Sequence, residues 1–131
     1  MFELFKKKQK QLPPFETLES SEYRDKYFIR VARWGWLDRV HISITDPHGP
    51  RMFTLDAWPQ LVFIAANGQM TVREYVHFVA SKYSGAVPDI LDQTVLNQIK
   101  TLLGYGIIEL RDVKSRPESQ YELPSSQQVG G

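Results

Sequence analysis

The apolar residues between positions 54 and 110 recur with the 3.6-residue period of amphipathic helices, in three separate runs. The first run follows Asp56, a good N-cap residue, and ends at Asn67-Gly68, a pair suited to a left-handed C-cap. The second run opens at Thr71, and Glu74 stands three residues later, which is the spacing of a capping box. The third run begins near Pro88 and ends at Gly104-Tyr105-Gly106. The pattern therefore predicts three helices, the last followed by a short strand at Ile107-Ile108-Glu109-Leu110.

The residues before the first helix alternate between apolar and polar with the two-residue period of strands. A first strand is predicted around residues 27–31, and a second around residues 39–45. The sequence Asp46-Pro47-His48-Gly49 has the signature of a type I turn, after which residues 51–55 return as a third strand. These segments predict a small N-terminal three-stranded antiparallel meander.

Two short β-prone segments flank a Lys/Ser/Arg/Pro loop after Leu110, which predicts a C-terminal β-hairpin. Three helices followed by a hairpin make a winged helix. The predicted fold class is therefore α+β: the meander, then a three-helix winged-helix-like unit with a C-terminal β-hairpin. One face of the sheet is polar, so the apolar stripes of the helices are expected to cover the other face.

The chain of 131 residues is long enough for one domain with its own core. Residues 1–22 hold four lysines and Pro13-Pro14 with no sustained period, so we expect a disordered tail there. The domain is expected at residues 23–123, with a second disordered tail at residues 124–131. The sequence has no cysteine, no apolar run of membrane length and no signal peptide, and a cytoplasmic protein is the expectation.

No residue cluster in the sequence has the spacing of a catalytic or metal site. His41, His48 and His77 do not have the spacing of metal ligands, and no phosphate-binding glycine loop or nucleophile elbow is present. Asp38, Asp46 and Asp56 are better placed to cap turns and helices than to form a catalytic pair. We therefore predict a protein that is not an enzyme and that needs no metal or other cofactor.

Several short motifs resemble those of PqqD-like proteins over about residues 24–110. Phe53-Thr54-Leu55 leads into an apolar helix, and residues 67–75 contain Asn67-Gly68, two further residues, Thr71-Val72, and then Glu74 and Tyr75. This resembles the family's aspartate-glycine, two residues, threonine-valine signature, with Asn67 in place of the acidic residue. The later apolar and glycine landmarks are matched by Tyr83, Val95, Leu102, Leu103 and Gly106-Ile107-Ile108. Pro59 in the first helix, the N-terminal tail and the terminal hairpin depart from the family pattern.

The resemblance implies a winged-helix-like module that holds the leader segment of a ribosomally made precursor peptide for a modifying enzyme. The leader would add as a further strand to the edge at residues 51–55, in a groove against the third helix at residues 90–103. The implied peptide-binding residues are Arg51, Met52, Phe53, Thr54 and Leu55 on the strand, and Leu91, Val95, Gln98, Ile99 and Leu102 on the helix.

Two other functions compete with peptide binding. A winged helix can read DNA through its third helix, and the residues for that role are Gln93, Asn97 and Lys100 with Lys114 and Arg116 in the wing. Against DNA, residues 56–131 hold six Lys/Arg and eight Asp/Glu, and phosphate contacts need cations. The other alternative is a protein–protein adaptor or a homodimer through the same strand edge.

Overall fold

The computed structural model describes residues 11–125, which form a mixed α+β structure with two small antiparallel three-stranded sheets and five helices. The strands are β1 Tyr27–Arg30, β2 Trp34–Trp36, β3 Ile42–Thr45, β4 Met52–Phe53, β5 Asn67–Thr71 and β6 Ile108–Arg111. The helices are α1 Glu16–Glu19, α2 Ala57–Ala65, α3 Val72–Ser81, α4 Leu91–Tyr105 and α5 Ser119–Glu122. Within this part of the chain, no helix has the length and apolar character needed to cross a membrane.

The strands divide between the two sheets in an order that the sequence does not reveal. In the first sheet β1 lies in the centre, with β5 on one side and β6 on the other. In the second sheet β3 lies between β2 and β4. Strands β1 and β2 are three residues apart, so the chain passes from one sheet directly into the other.

The three predicted helices are present as α2, α3 and α4. The predicted capping box opens α3: the Glu74 N–H donates to the Thr71 hydroxyl at 3.1 Å, and the Thr71 N–H donates to the Glu74 carboxylate at 2.9 Å. Helix α4 ends at Gly106, whose φ of 74° is the left-handed C-cap conformation that glycine adopts without strain. Helix α2 stops earlier than predicted, because residues 67–71 form strand β5.

The predicted meander and hairpin need correction. Strands β3 and β4 pair as expected, but their third partner is β2, whereas the predicted first strand is β1 of the other sheet. The C-terminal hairpin is wrong: β6 pairs with β1, and the residues expected to return as a strand form the short helix α5. The physical reason is that the chain after β6 crosses to β5, where the Ser115 N–H donates to the Gly68 carbonyl and the Gln69 side-chain amide donates to the Ser115 carbonyl.

The expected tail at residues 1–22 is also wrong in the part that the structure describes. Phe15 and Leu18 are buried in the core, and the Leu18 N–H donates to the Asp92 carboxylate at 2.9 Å, with Asp92 itself 1% exposed. At the other end, the Ser125 N–H and hydroxyl both donate to the Trp34 carbonyl oxygen. Residues 1–10 and 126–131, on which the rest of the two tail predictions falls, lie outside the described residues.

The core lies between the helices and the two sheets, and one face of α4 contributes heavily to it. Four residues of that face are 2% exposed or less: Leu91, Val95, Ile99 and Leu102. They pack in one cluster with side chains from every other layer, including Phe28 of β1, Ile44 of β3 and Phe63 of α2. This continuity identifies α4 as the helix around which the other elements are packed.

A buried guanidinium joins β1 to the end of α2 and to α5. Arg30 is 4% exposed, and it donates to the backbone carbonyl oxygens of Ile64 at 2.7 Å, Tyr121 at 3.0 Å and Glu122 at 2.9 Å. A weaker bond of 3.4 Å reaches the Phe63 carbonyl. Burial lowers the pKa of Arg30 from its ordinary value, and the nearby Glu122 carboxylate opposes that shift. The guanidinium keeps its charge, and several carbonyl dipoles stabilise it.

We predict that Ile99→Ala lowers the free energy of unfolding by about 2–5 kcal/mol, because it leaves a cavity in a fully buried site. The matched control is Ile90→Ala, the same substitution at an exposed residue next to the same helix, for which we expect a change within about 0.5 kcal/mol. Urea unfolding followed by circular dichroism measures both. Similar losses for the two variants would contradict the position given to Ile99 in the core.

We predict that Arg30→Met detaches the C-terminal segment. The substitution leaves several buried carbonyl groups without a donor, and we expect a loss of at least about 2 kcal/mol of unfolding free energy. Hydrogen exchange should show the Ser125 amide, which is bonded to the Trp34 carbonyl, losing protection. The control is Arg33→Met at an exposed site, whose guanidinium bonds only Gln120 among the described residues. Unchanged protection of Ser125 in Arg30→Met would show that Arg30 does not hold the segment.

Candidate functional site

Strand β4 forms the open edge of the second sheet. The opposite edge is β2, where Ser125 covers the Trp34 carbonyl. Strand β4 is the last strand on the other side of β3, and no further strand among residues 11–125 pairs with it. The edge is short, and its two residues, Met52 and Phe53, are apolar, so β4 itself carries none of the charges or prolines that protect many sheet edges.

The register of β3 and β4 shows which backbone groups face outward from this edge. The Asp46 N–H donates to the Arg51 carbonyl at 2.8 Å, and the next pairs along are Thr45 with Met52 and Ile44 with Phe53. Because hydrogen-bonded and non-bonded pairs alternate in an antiparallel ladder, Phe53 bonds inward to β3. The N–H and C=O groups of Met52 therefore point away from β3, to the side of β4 where no strand among the described residues pairs with it.

Two adjoining cavities of about 380 Å³ and 550 Å³ lie along the open side of β4. Both are lined by Thr54 and Tyr105, so we treat them as one hollow and name it the β4 groove. Its walls come from the strand segment, from α4 and from the start of α2. Its lining residues include Arg51, Met52, Phe53, Thr54, Leu55, Trp58, Gln98, Thr101 and Tyr105.

The β4 groove is partly apolar and has little net charge. Phe53 and Tyr105 meet edge to face with ring centroids 5.7 Å apart, which joins the strand wall to the helix wall. At one end the Arg51 guanidinium lies 3.4 Å from the Asp46 carboxylate. The pKa of Asp46 is lowered, chiefly by the hydrogen bond from the His48 N–H. At the other end the exposed carboxylate of Asp56 stands at the N-cap of α2 without capping the helix.

The structure brings together only part of the predicted peptide-binding set. Six of its residues line the β4 groove: Arg51, Met52, Phe53, Thr54, Leu55 and Gln98. The other four are wrong as groove residues, because Leu91, Val95, Ile99 and Leu102 are buried in the core and face away from solvent. An apolar stripe marks the side of a helix that is covered, and here the protein's own sheets and helices cover it.

Seven residues that line the groove were missed from the sequence: Asp46, Asp56, Ala57, Trp58, Pro59, Thr101 and Tyr105. Thr101 and Tyr105 follow Gln98 at positions i+3 and i+7, so the three share one side of α4. That spacing could have indicated the groove from the sequence. These residues lie on the more polar side of the helix, however, whereas the predicted set was drawn mainly from its apolar side. Trp58 lies in the first turn of α2, and its position in the sequence gave no sign of the groove.

The residues of the DNA alternative fall into two separate groups. Gln93, Asn97 and Lys100 line a different cavity of about 930 Å³, between α4 and the α1 region, and Glu22 lines the same cavity. Lys114 and Arg116 are not among its lining residues, and Arg116 forms an ion pair with Glu122 at 3.0 Å. Lys100 is thus the one cation among the residues that line this cavity, and the carboxylate of Glu22 offsets it.

The three histidines occupy separate local sites. His41 Nδ1 lies 3.0 Å from the Asp38 carboxylate, and the His77 ring meets Phe15 edge to face at 5.5 Å. The His48 ring packs against Gly106, where a Cβ would approach Nε2 to 2.7 Å. Across residues 11–125 the structure assembles no group of three or more His, Asp or Glu side chains that could hold a metal ion.

Comparisons with known proteins identify no relative of this chain. No protein-family profile matches the chain, and neither a curated protein nor a solved structure shows significant similarity to it. The PqqD-like assignment therefore stays a prediction that depends on the sequence motifs. The geometry of β4 and its groove is the structural evidence on what the protein binds.

Proposed function

We propose that this protein is a non-catalytic module that binds an extended peptide by adding it as a strand to the outer edge of β4. The single observation that carries the proposal is the outward-facing backbone of Met52 beside a groove with an aromatic and polar helix wall. Backbone hydrogen bonds to the edge would supply affinity, and side-chain contacts in the groove would supply selectivity. The resemblance to PqqD-like proteins adds the proposal that the peptide is a precursor leader presented to a modifying enzyme.

The alternation of side chains along β4 defines how a guest strand would sit. Phe53 contacts Tyr105 of α4, and Leu55 packs on the core, so odd-numbered positions face the helix. Met52 and Thr54 alternate with these residues and are exposed, and all four line the groove. Every second side chain of the guest would therefore enter the groove, toward Tyr105, Thr101 and Trp58. We infer a preference for apolar or aromatic residues at alternate positions of the peptide.

We further propose that α2, α3 and α4 with the first sheet form a winged-helix-like unit. Strand β5 lies between the first two helices, and β6 follows the third, which is the chain order of a winged helix up to the first wing strand. The second wing strand is replaced by β1, which lies between β5 and β6. Such a unit is compatible with peptide binding, because β4 belongs to the other sheet.

We predict that Met52→Pro weakens peptide binding at least about tenfold, since it removes one outward N–H and places a ring against the incoming strand. The probe is the tightest binder from a phage-displayed library of random peptides selected on the wild-type chain. Fluorescence anisotropy with the synthetic peptide measures the dissociation constant. The matched control is Met52→Gln, which keeps the backbone N–H and a side chain of similar length, and which should bind within about threefold of wild type.

Two results would contradict this function. Either no peptide is enriched over a selection on blocked beads, or the enriched peptides bind Met52→Pro as tightly as wild type. Circular dichroism must show that the variant is folded. Binding to unrelated duplex DNA that weakens steeply with salt, and that is lost in Lys100→Ala, would support the DNA alternative instead.

A further inference from the structure

The outward side of helix α2 is apolar. Ala57 and Leu61 are exposed and Ile64 is half-buried, and their i, i+4, i+7 spacing places them on one stripe of the helix. The sequence of α2, Ala-Trp-Pro-Gln-Leu-Val-Phe-Ile-Ala, contains no charged residue. A surface helix usually exposes charged and polar side chains to water. An exposed apolar stripe is instead typical of a binding surface.

The turn between β2 and β3 adds further exposed apolar side chains. Leu37 and Val40 are 63% and 64% exposed, and Trp36 at the end of β2 is 43% exposed. Turns are normally built from polar residues and glycine. This turn contains the polar residues Asp38, Arg39 and His41, but it also exposes the large aliphatic side chains of Leu37 and Val40.

Asp38 holds this turn in one conformation. Its carboxylate accepts hydrogen bonds from the Val40 N–H at 2.8 Å and the His41 N–H at 2.7 Å, and the His41 ring lies 3.0 Å away. These contacts, the His41 ring first, lower the pKa of Asp38 to about 2, so the carboxylate is ionised at neutral pH. The exposed aliphatic side chains are therefore presented by an ordered turn, which reduces the entropy lost on binding.

Gln60 joins the turn to the helix. Its side-chain amide donates to the Val40 carbonyl at 2.7 Å and accepts from the Ile42 N–H at 3.0 Å. These backbone groups lie beyond the end of β4, so Gln60 bonds them in place of a neighbouring strand. The turn and the outer stripe of α2 thus form one fixed surface. We name it the hairpin–helix face, and its apolar residues are Trp36, Leu37, Val40, Ala57, Leu61 and Ile64.

We propose that the hairpin–helix face binds the same face of a second copy of this chain. Three charged residues border it: Asp38, whose carboxylate is bonded within its own turn, and Arg39 and Asp56, whose side chains have no hydrogen bond or ion pair among the described residues. A two-fold arrangement makes such a surface self-complementary, because each copy offers one unpaired cation and one unpaired anion to the other. An apolar centre with an aromatic residue and a charged border is also the usual anatomy of a protein interface.

The charge balance argues against a lipid surface as the occupant. Anionic membranes attract clusters of lysine and arginine, and here the carboxylates of Asp38 and Asp56 outnumber the one guanidinium of Arg39. The hairpin–helix face adjoins one end of the β4 groove, because Asp56 and Ala57 also line the groove beside Trp58. The proposed dimer is argued from the exposed turn and the exposed stripe of α2, so it does not depend on the peptide-binding proposal.

Sedimentation velocity of the full chain over a range of concentrations tests this proposal. We expect wild type to dimerise, and Leu37→Glu and Leu61→Glu each to weaken the dimer at least about tenfold, because each buries a charge in the interface. The control is Ile90→Glu, which adds the same charge at an exposed apolar residue next to α4 and should dimerise as wild type does. Circular dichroism confirms the fold of each variant, since all three sites are exposed.

Four outcomes would overturn the inference. The first is a wild-type chain that stays monomeric at every concentration. The second is a dimer that both glutamate variants retain. The third is a dimer that is lost in Met52→Pro but kept in Leu37→Glu, which would place the interface at the β4 edge. The fourth is a monomer that sediments with phosphatidylglycerol vesicles but not with phosphatidylcholine vesicles, and only when Leu37 is intact, which would assign the face to lipid.

Discussion

The buried guanidinium of Arg30 determines which edge of the second sheet is closed. Its bonds to the Tyr121 and Glu122 carbonyls hold α5 against the junction of the two sheets. The Trp34 indole N–H donates to the same Tyr121 carbonyl, and from there the chain reaches Ser125, which covers the Trp34 carbonyl. A buried cation is costly to desolvate, so its position tolerates few arrangements of the surrounding carbonyls. One edge is thereby occupied by the protein's own C-terminal segment, and β4 is left as the open edge.

The β4 groove exists because two layers of the fold meet without filling the space between them. Helix α4 gives its apolar face to the core, so its Gln98, Thr101 and Tyr105 side remains beside the strand segment. The Phe53–Tyr105 contact fixes the distance between the two walls. The short length of β4 matters as well, because after Phe53 the strand gives way to the chain that leads into α2. A site of this kind combines backbone donors and acceptors with side-chain surface on rigid elements.

Local signals in the sequence were sufficient for the helices. Thr71 and Glu74 cap α3, and Gly106 ends α4, because these interactions involve residues close together in the chain. The pairing of β1 with β5 and β6 joins residues about 40 and 80 positions apart, and no local pattern encodes that choice. For the same reason Phe15 and Leu18 looked like tail residues: the Phe15 ring contacts His77 and the Leu18 N–H bonds Asp92, and both partners are far along the chain.

The candidate site was predictable in its strand and not in its helix. Residues 51–55 could be recognised as a strand before the first helix, and they do line the groove. The helix residues were selected for their apolar stripe, and such a stripe reports only that a face is buried. Whether the covering surface is the protein's own core or a ligand depends on tertiary packing. For Ile99 and its neighbours it is the core, and the groove is lined by the adjacent, more polar side of the same helix.

Helix α2 shows why an uncharged helix can serve two surfaces at once. Its nine residues present Val62 and Phe63 to the core, Trp58 to the β4 groove and Leu61 to the hairpin–helix face. A charge at almost any of these positions would be buried on one side or would repel an apolar partner on another. Gln60 is the one strongly polar residue of α2. Its side-chain amide bonds the Val40 and Ile42 backbone groups, which lie beyond the end of β4. The absence of charge in α2 is therefore the expected composition of a helix that packs on the core, lines the β4 groove and, as proposed, binds a second copy through its exposed stripe.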